Sequence, residues 1–326
     1  MDDPISVQEP KVWRPDRPVS KGATAYHDAV IDAPYYKENV QELVNIVRKR
    51  IKEKNIVVDF GAGTGGSAMY LLKNIKFRFD LWLVDNSAAW LGKAYELFEK
   101  NPNVKCFLLE RIKNNYSTLA QVIGQGVADQ VISANTVHLI PDLEHALKGI
   151  NNALKPNGTL TFQSGNISRQ GRKEGVLIVD DTVKRVHDLA LEVLRNNDRF
   201  LKYRKELDQK IKNEESQRKF IFPEPRPLEA YIKSLTDAGF RIIETKYKLI
   251  RIKYSDWMNF LRVKRLQAGI LPEVGGKEPS PEEENDRDML ITLAANKLFE
   301  DLKRENPMAD GESFATEWVY VTALKT

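Results

Sequence analysis

The 326-residue chain has a single cysteine, Cys106, and four histidines. One thiol excludes an internal disulfide, and inside the apolar run Val104 to Leu109 it reads as a small core side chain rather than a nucleophile. Cysteine and histidine nowhere recur at metal-ligand spacing, so no metal is expected. No apolar stretch approaches the roughly 20 residues that cross a bilayer. The opening Met1-Asp2-Asp3-Pro4 lacks a basic and apolar leader, so the expected compartment is the cytoplasm. An excess of one charge is missing too, since 50 basic and 46 acidic residues leave a net charge of +4. That balance argues against nucleic acid as a partner. Internal repeats and long low-complexity tracts are also absent. With 42% hydrophobic residues, the chain has enough apolar surface to bury the core of one elaborated domain.

The most informative segment present is Ile56-Val57-Val58-Asp59-Phe60-Gly61-Ala62-Gly63-Thr64-Gly65-Gly66. A short apolar run reads as a buried parallel strand. The glycines allow a tight turn with the backbone close to a ligand, and the run from Ser67 to Leu72 reads as a helix whose amino end faces the same pocket. A second apolar run, Leu81 to Val84, ends in Asp85, which places a carboxylate where a ribose would lie. Gly61, Gly63 and Gly66 also satisfy the Gly-x-Gly-x-x-Gly pattern of dinucleotide binders, so the loop alone leaves an NAD(P)-dependent oxidoreductase open. Two features favour another ligand. A helical pattern, Val40, Leu43, Val44, Val47 and Ile51, precedes the first strand. Asp59 stands directly before the loop, where a carboxylate suits a cationic amino group better than a pyrophosphate.

With these residues the chain resembles the class I S-adenosylmethionine-dependent methyltransferases of the small-molecule type. The stretch Asp59 to Gly65 is similar to the family's first motif, and Asp85 falls on its ribose-binding acid. Glu110 stands where the family places an acid near adenine. Asn135-Thr136-Val137-His138-Leu139-Ile140-Pro141-Asp142 resembles the motif after strand four, and Ala153 to Leu160 resembles the turn before strand five, with Asn157 where a glycine is usual. The resemblance is strong over 40–163 and weaker over 228–254 and 316–324. It implies a Rossmann-like doubly wound α/β sheet of seven strands in the order 3-2-1-4-5-7-6, the last strand antiparallel. It also implies S-adenosyl-L-methionine as cofactor and methyl transfer to a small molecule, without a metal. A third possibility is a non-catalytic regulator or assembly partner that keeps the fold.

Organisation follows from the interruptions. Residues 1–39 are expected to form an arm and pocket cover, with 2–16 on the surface and an aromatic stretch (Tyr26, His27, Tyr35, Tyr36) ahead of the first helix. The core occupies 40–165. Residues 166–227 form a first insertion in which Val183, Val186, Ala190, Val193, Leu194 and Leu201 recur at helical spacing. Its charged end, 202–219, reads as a solvated helix face. A core helix and strand follow over 228–254, then a second insertion over 255–315 with Ser255 as the cap of its first helix, and a final strand over 316–326. The two insertions are expected to act as lids over a small-molecule pocket.

Implied cofactor contacts are Asp59 to the methionine amino group, Gly61, Ala62, Gly63, Thr64 and Gly65 in the loop, Asp85 and Asn86 at the ribose, Glu110 and Arg111 at the adenine, and Asn135 after strand four. Candidate catalytic residues are His138, Tyr26 and His27, and candidate substrate contacts are Tyr35, Tyr36, Gln163 and Asn166. His145 and His187 read as structural or exposed. The chain is expected to act as a monomer or homodimer.

Overall fold

The computed structural model describes residues 10–112 and 115–326. The first part of the expected surface arm, residues 2–9, lies outside the described residues. From residue 10 the chain runs along the sheet's outer edge, where the Trp13 N–H donates to the Cys106 carbonyl at 2.8 Å. Two helices precede the first strand: α1 (Lys21–Val30) and α2 (Pro34–Val47). The aromatic stretch is therefore not a loop. Tyr26 and His27 sit on α1, and Pro34 at the first helical position starts α2 early enough to include Tyr35 and Tyr36. Ile51 falls beyond the end of α2 but is buried.

The core continues with β1 (Ile56–Phe60), α3 (Gly66–Asn74), β2 (Asp80–Asp85), α4 (Ala88–Phe98) and β3 (Val104–Leu108). A small hairpin of β4 (Arg111–Ile112) and β5 (Asn115–Tyr116) leads to α5 (Leu119–Ile123), β6 (Ala128–Ala134), α6 (Leu143–Ala153) and β7 (Leu154–Ser164). The main sheet has seven strands in the order β3-β2-β1-β6-β7-β9-β8. Its first five are parallel, whereas β9 (Ser313–Lys325) pairs antiparallel with both β7 and β8 (Phe240–Lys253). Counted along the main sheet alone, this is the order the resemblance implies.

Both faces of the sheet are covered. One face packs with α5, α6 and α9 (Leu228–Asp237) around Val58, Val84, Phe107, Val131 and Phe162. The other carries α2 and α3 and continues without a break into both insertions. The first insertion is a broken helix, as its spacing implied: α7 (Val179–Asn196), a 3-10 turn (Asp198–Tyr203) and α8 (Leu207–Ile221). The second holds α10 (Tyr254–Leu261), α11 (Lys264–Ile270) and α12 (Pro281–Glu305). Ser255 is not the cap of α10, because the helix begins one residue earlier with Lys253 in the capping position. In α12 the start is fixed by a capping box between Ser280 and Glu283, with Pro281 in the first turn and Lys303 and Arg304 complementing the dipole at the far end.

The insertions are joined to each other by a buried ionic contact. The Arg218 guanidinium lies 2.8 Å from Glu273 Oε1, whose side chain is 0% exposed, and His187 Nε2 is 3.3 Å from the same oxygen. His187 is thus structural, as expected, and Arg218 on α8 supplies the cation that a buried carboxylate requires. Among the described residues no helix is long and apolar enough to cross a membrane, and no group of three or more His, Cys, Asp or Glu is placed to hold a metal ion.

Candidate active site

The carboxyl ends of β1, β2, β6 and β7 converge on one cleft, and the glycine loop forms its floor. Gly61, Gly63 and Gly65 have φ of 74°, 55° and 84°, the left-handed region where a side chain is strained. Gly61 has a second reason to be glycine. A Cβ there would lie 2.1 Å from Thr136 Cγ2, because Thr136 crosses from the end of β6 to donate its hydroxyl to the Gly61 carbonyl at 3.0 Å. At Gly63 a Cβ would meet nothing within 4 Å, so the loop opens onto free space there.

Asp59 is fully buried at the end of β1. Its Oδ2 accepts from Ser67 Oγ at 2.5 Å, and its Oδ1 has no partner. Burial raises its carboxyl to about 7, and nearby Asp85 adds to the rise. A buried carboxylate with one free oxygen and no cation of its own fits the ammonium of an amino-acid ligand. Asp85 closes the other side: Oδ2 accepts the Gly63 N–H at 2.8 Å and Oδ1 the Ser87 N–H at 2.8 Å. Each oxygen keeps a lone pair for a hydroxyl. The residues present therefore fit the methionine and ribose ends of S-adenosylmethionine.

The cover comes from α1 and α11. Tyr26 meets Trp90 of α4 edge to face, with centroids 4.5 Å apart, and the Arg265 guanidinium lies over the same indole at 4.8 Å. The Arg265 charge also acts on Asp85 and Tyr26. His27 Nδ1 is 3.0 Å from Thr64 Oγ1, so α1 is held directly to the glycine loop. Tyr36 stands over the helix start, where a Cβ on Gly66 would lie 2.0 Å from its hydroxyl. These contacts pack α1 and the start of α2 against the glycine loop and α4. Glu110, Arg111 and Asn86 are exposed at the rim.

Asn135 takes φ of 53°, a conformation asparagine tolerates better than most residues, and its N–H donates to the Gln163 carbonyl at 3.0 Å. His138 lies in the 3-10 turn that follows. Ser164 Oγ is 2.9 Å from His138 Nδ1 and accepts the Asn166 N–H at 2.9 Å. The serine hydroxyl thus joins the imidazole to the Asn166 backbone. Desolvation, reinforced by Arg226, lowers the imidazole to about 4. At neutral pH it is an uncharged ring joining the post-β6 and post-β7 turns, a poor proton acceptor. Asn166 uses its Oδ1 on the Asp180 N–H at the start of α7, which closes the loop into the first insertion. Tyr35 and Gln163 are buried behind the loop. Trp90, Thr136, Ser67 and Arg265 went unrecognised in the sequence. Ser67, eight residues after Asp59 on the helix that the loop starts, was accessible to local reasoning; Arg265, far along the chain, was not.

Comparison with known proteins agrees with this geometry. Residues 58–160 match the family model described as "Methyltransferase domain". A loganic acid methyltransferase solved with S-adenosylhomocysteine superposes with a TM-score of 0.57 at 13% identity, covering 97% of this chain and 99% of that one. A protein from Galdieria sulphuraria, described as a sarcosine dimethylglycine methyltransferase, gives a TM-score of 0.53 at 12% identity over 94% of this chain and 99% of that one. The fold is that of the class I S-adenosylmethionine-dependent methyltransferases. Among curated proteins, the lovastatin nonaketide synthase mokA of Monascus pilosus is 31% identical over 123 residues, 37% of this chain and 4% of that protein. The highly reducing polyketide synthase calA of Penicillium decumbens is 26% identical over 132 residues, 40% of this chain and 4% of that protein. The chain thus matches only a small part of the length of these large synthases.

The state of Asp59 gives a pH prediction. Below about pH 4 its carboxyl is protonated in folded and unfolded chains alike. As pH rises from there to about 7, only the unfolded chain ionises, so this group's contribution to stability falls across that window and is level above it. A bound ammonium favours the ionised form. Binding of S-adenosylhomocysteine at pH 7 is therefore expected to release up to about half a proton, read by calorimetry in buffers of different ionisation enthalpy. Asp59→Asn should abolish the release.

Proposed function

We propose that this protein transfers the methyl group of S-adenosylmethionine to a small-molecule acceptor held between the cofactor loop and the two insertions. The observation that carries this reading is the unpartnered, buried Asp59 oxygen at the head of a positive-φ glycine loop, with Asp85 one strand away. When bound, the cofactor supplies an electrophilic methyl group on a sulfonium, so transfer needs alignment and exclusion of water more than it needs a metal.

Each residue then has a task. Asp59 holds the ammonium; Gly61, Ala62, Gly63, Thr64 and Gly65 let the backbone approach; and Asp85, with the neighbouring Asn86, holds the ribose. Trp90, Tyr26 and Arg265 wall the adenosine side, with Glu110 and Arg111 at its outer edge. Asn135 lies between cofactor and acceptor. His27 and Tyr36 fasten the amino-terminal helices over the loop and keep water out. His138, neutral and tied to Ser164, orients the post-β6 turn. We place the activity in the cytoplasm, in small-molecule metabolism.

The alternative of a dinucleotide oxidoreductase loses support from the sheet, because the antiparallel β9 between β7 and β8 departs from the parallel 3-2-1-4-5-6 order of that class. Calorimetric titration with S-adenosylhomocysteine and with NAD tests the choice. Binding of the first and not the second is the expected result, and binding of NAD alone would overturn the proposal.

A further inference from the structure

Behind the cofactor loop, where β7, α2 and α10 meet, a contiguous group of buried side chains has polar atoms that the fold does not use. Gln163 ends the cleft-facing part of β7 and donates from Nε2 to Asn39 Oδ1 at 3.0 Å. Gln163 Oε1 and Asn39 Nδ2 are left without partners. One turn before Asn39 on α2 is Tyr35, whose hydroxyl is also unpartnered. Tyr35 meets Trp257 of α10 edge to face with centroids 5.8 Å apart, and the Trp257 indole N–H has no acceptor. All four residues are at most 4% exposed.

Buried polar groups are nearly always paired, so four idle ones on neighbouring side chains need an explanation. Rotating both amides does not remove the problem, since it exchanges the ends of the pair and still leaves one carbonyl oxygen and one NH2 free. The group lies beside the turn after β6, because the Gln163 carbonyl accepts the N–H of Asn135. It contains no ionised side chain. The carboxylate of Asp256 acts on the Tyr35 hydroxyl and would repel an anion there.

We propose that Tyr35, Asn39, Gln163 and Trp257 recognise the methyl acceptor, and that this acceptor is an uncharged molecule with a hydroxyl or enol beside a carbonyl on an apolar body. Its O–H donates to the free amide oxygen, and its carbonyl accepts from the amide NH2 and the indole N–H. A carboxylate or ammonium acceptor would be buried there without a counter-charge. The inference rests on the methyltransferase reading of the same cleft.

Calorimetry on the protein saturated with S-adenosylhomocysteine tests it, with benzoylacetone as the neutral probe and benzoate and benzylamine as charged controls at pH 7. Benzoylacetone should bind at least tenfold more tightly than either control. Tyr35→Phe and Trp257→Phe remove one idle polar atom each while keeping an aromatic ring. Both should weaken the probe at least fivefold and leave S-adenosylhomocysteine affinity unchanged within twofold, and Tyr35→Phe, which removes only a hydroxyl, should keep or raise Tm. A purely structural role would lower Tm instead. If S-adenosylhomocysteine itself does not bind, the methyltransferase reading fails. If it binds but benzoylacetone does not, or a charged control binds as well, or both variants keep full probe affinity, the acceptor assignment is overturned.

Discussion

Asp85→Ala is expected to weaken S-adenosylhomocysteine binding by a hundredfold or more. The carboxylate ends β2 and is held in place by the Gly63 and Ser87 N–H groups, one on each oxygen. In that geometry each oxygen is free to accept one ribose hydroxyl. Hydrogen bonds to a charged acceptor contribute about 1.5–3 kcal/mol each, and each 1.4 kcal/mol is about a factor of ten. Two such bonds therefore exceed a hundredfold even at the lower limit. The alanine also leaves two loop N–H groups without acceptors, which loosens the glycine turn and adds to the loss. Asp85→Asn keeps the shape and one carbonyl oxygen, so it should fall between wild type and alanine. Titration calorimetry of the three proteins reads the series, and an alanine variant within threefold of wild type would contradict the ribose role.

Gly61→Ala is expected to damage both stability and cofactor binding, for two separable reasons. A left-handed conformation costs a non-glycine residue roughly 1–2 kcal/mol, and overpacking against Thr136 adds about 1–3 kcal/mol. The sum, about 2–5 kcal/mol, corresponds to a Tm loss of about 3–7 °C in a chain of this size. Because the clash is with a single side chain, Thr136→Gly in the same protein should recover the overpacking part and leave the backbone part. A double-mutant cycle measured by thermal unfolding therefore has a definite expected sign: the second substitution, destabilising alone, is partly compensating beside the first. Strict additivity would show that the β6 turn and the glycine loop do not touch as described.

Much of the architecture was legible because it is written locally. Apolar runs ending in Asp59 and Asp85 and glycines at positive φ are short-range signals that act within a few residues. The boundaries that shifted also have local causes. Pro34 started α2 ahead of its apolar stripe, and the long β8 passed directly into α10 without waiting for Ser255. The candidate site divides differently. Its cofactor half follows the loop and strand ends, so the residues named from the motif come together. Its cover does not, because α1 folds onto the loop through a contact between His27 and Thr64, far apart in the chain.

What the sequence by itself determined is the strand and helix alphabet, the glycine turn with its two acids, and the placement of two long insertions among core elements. Tertiary structure alone decided that both insertions share one continuous core with α2, that Arg265 reaches over Trp90, and that Tyr35, Asn39, Gln163 and Trp257 meet with their polar atoms unused. The physical reason is range. Turn and periodicity signals are set by steric and hydrogen-bonding preferences of neighbouring residues, whereas these contacts join residues more than a hundred positions apart and exist only once the apolar faces of separate elements have packed.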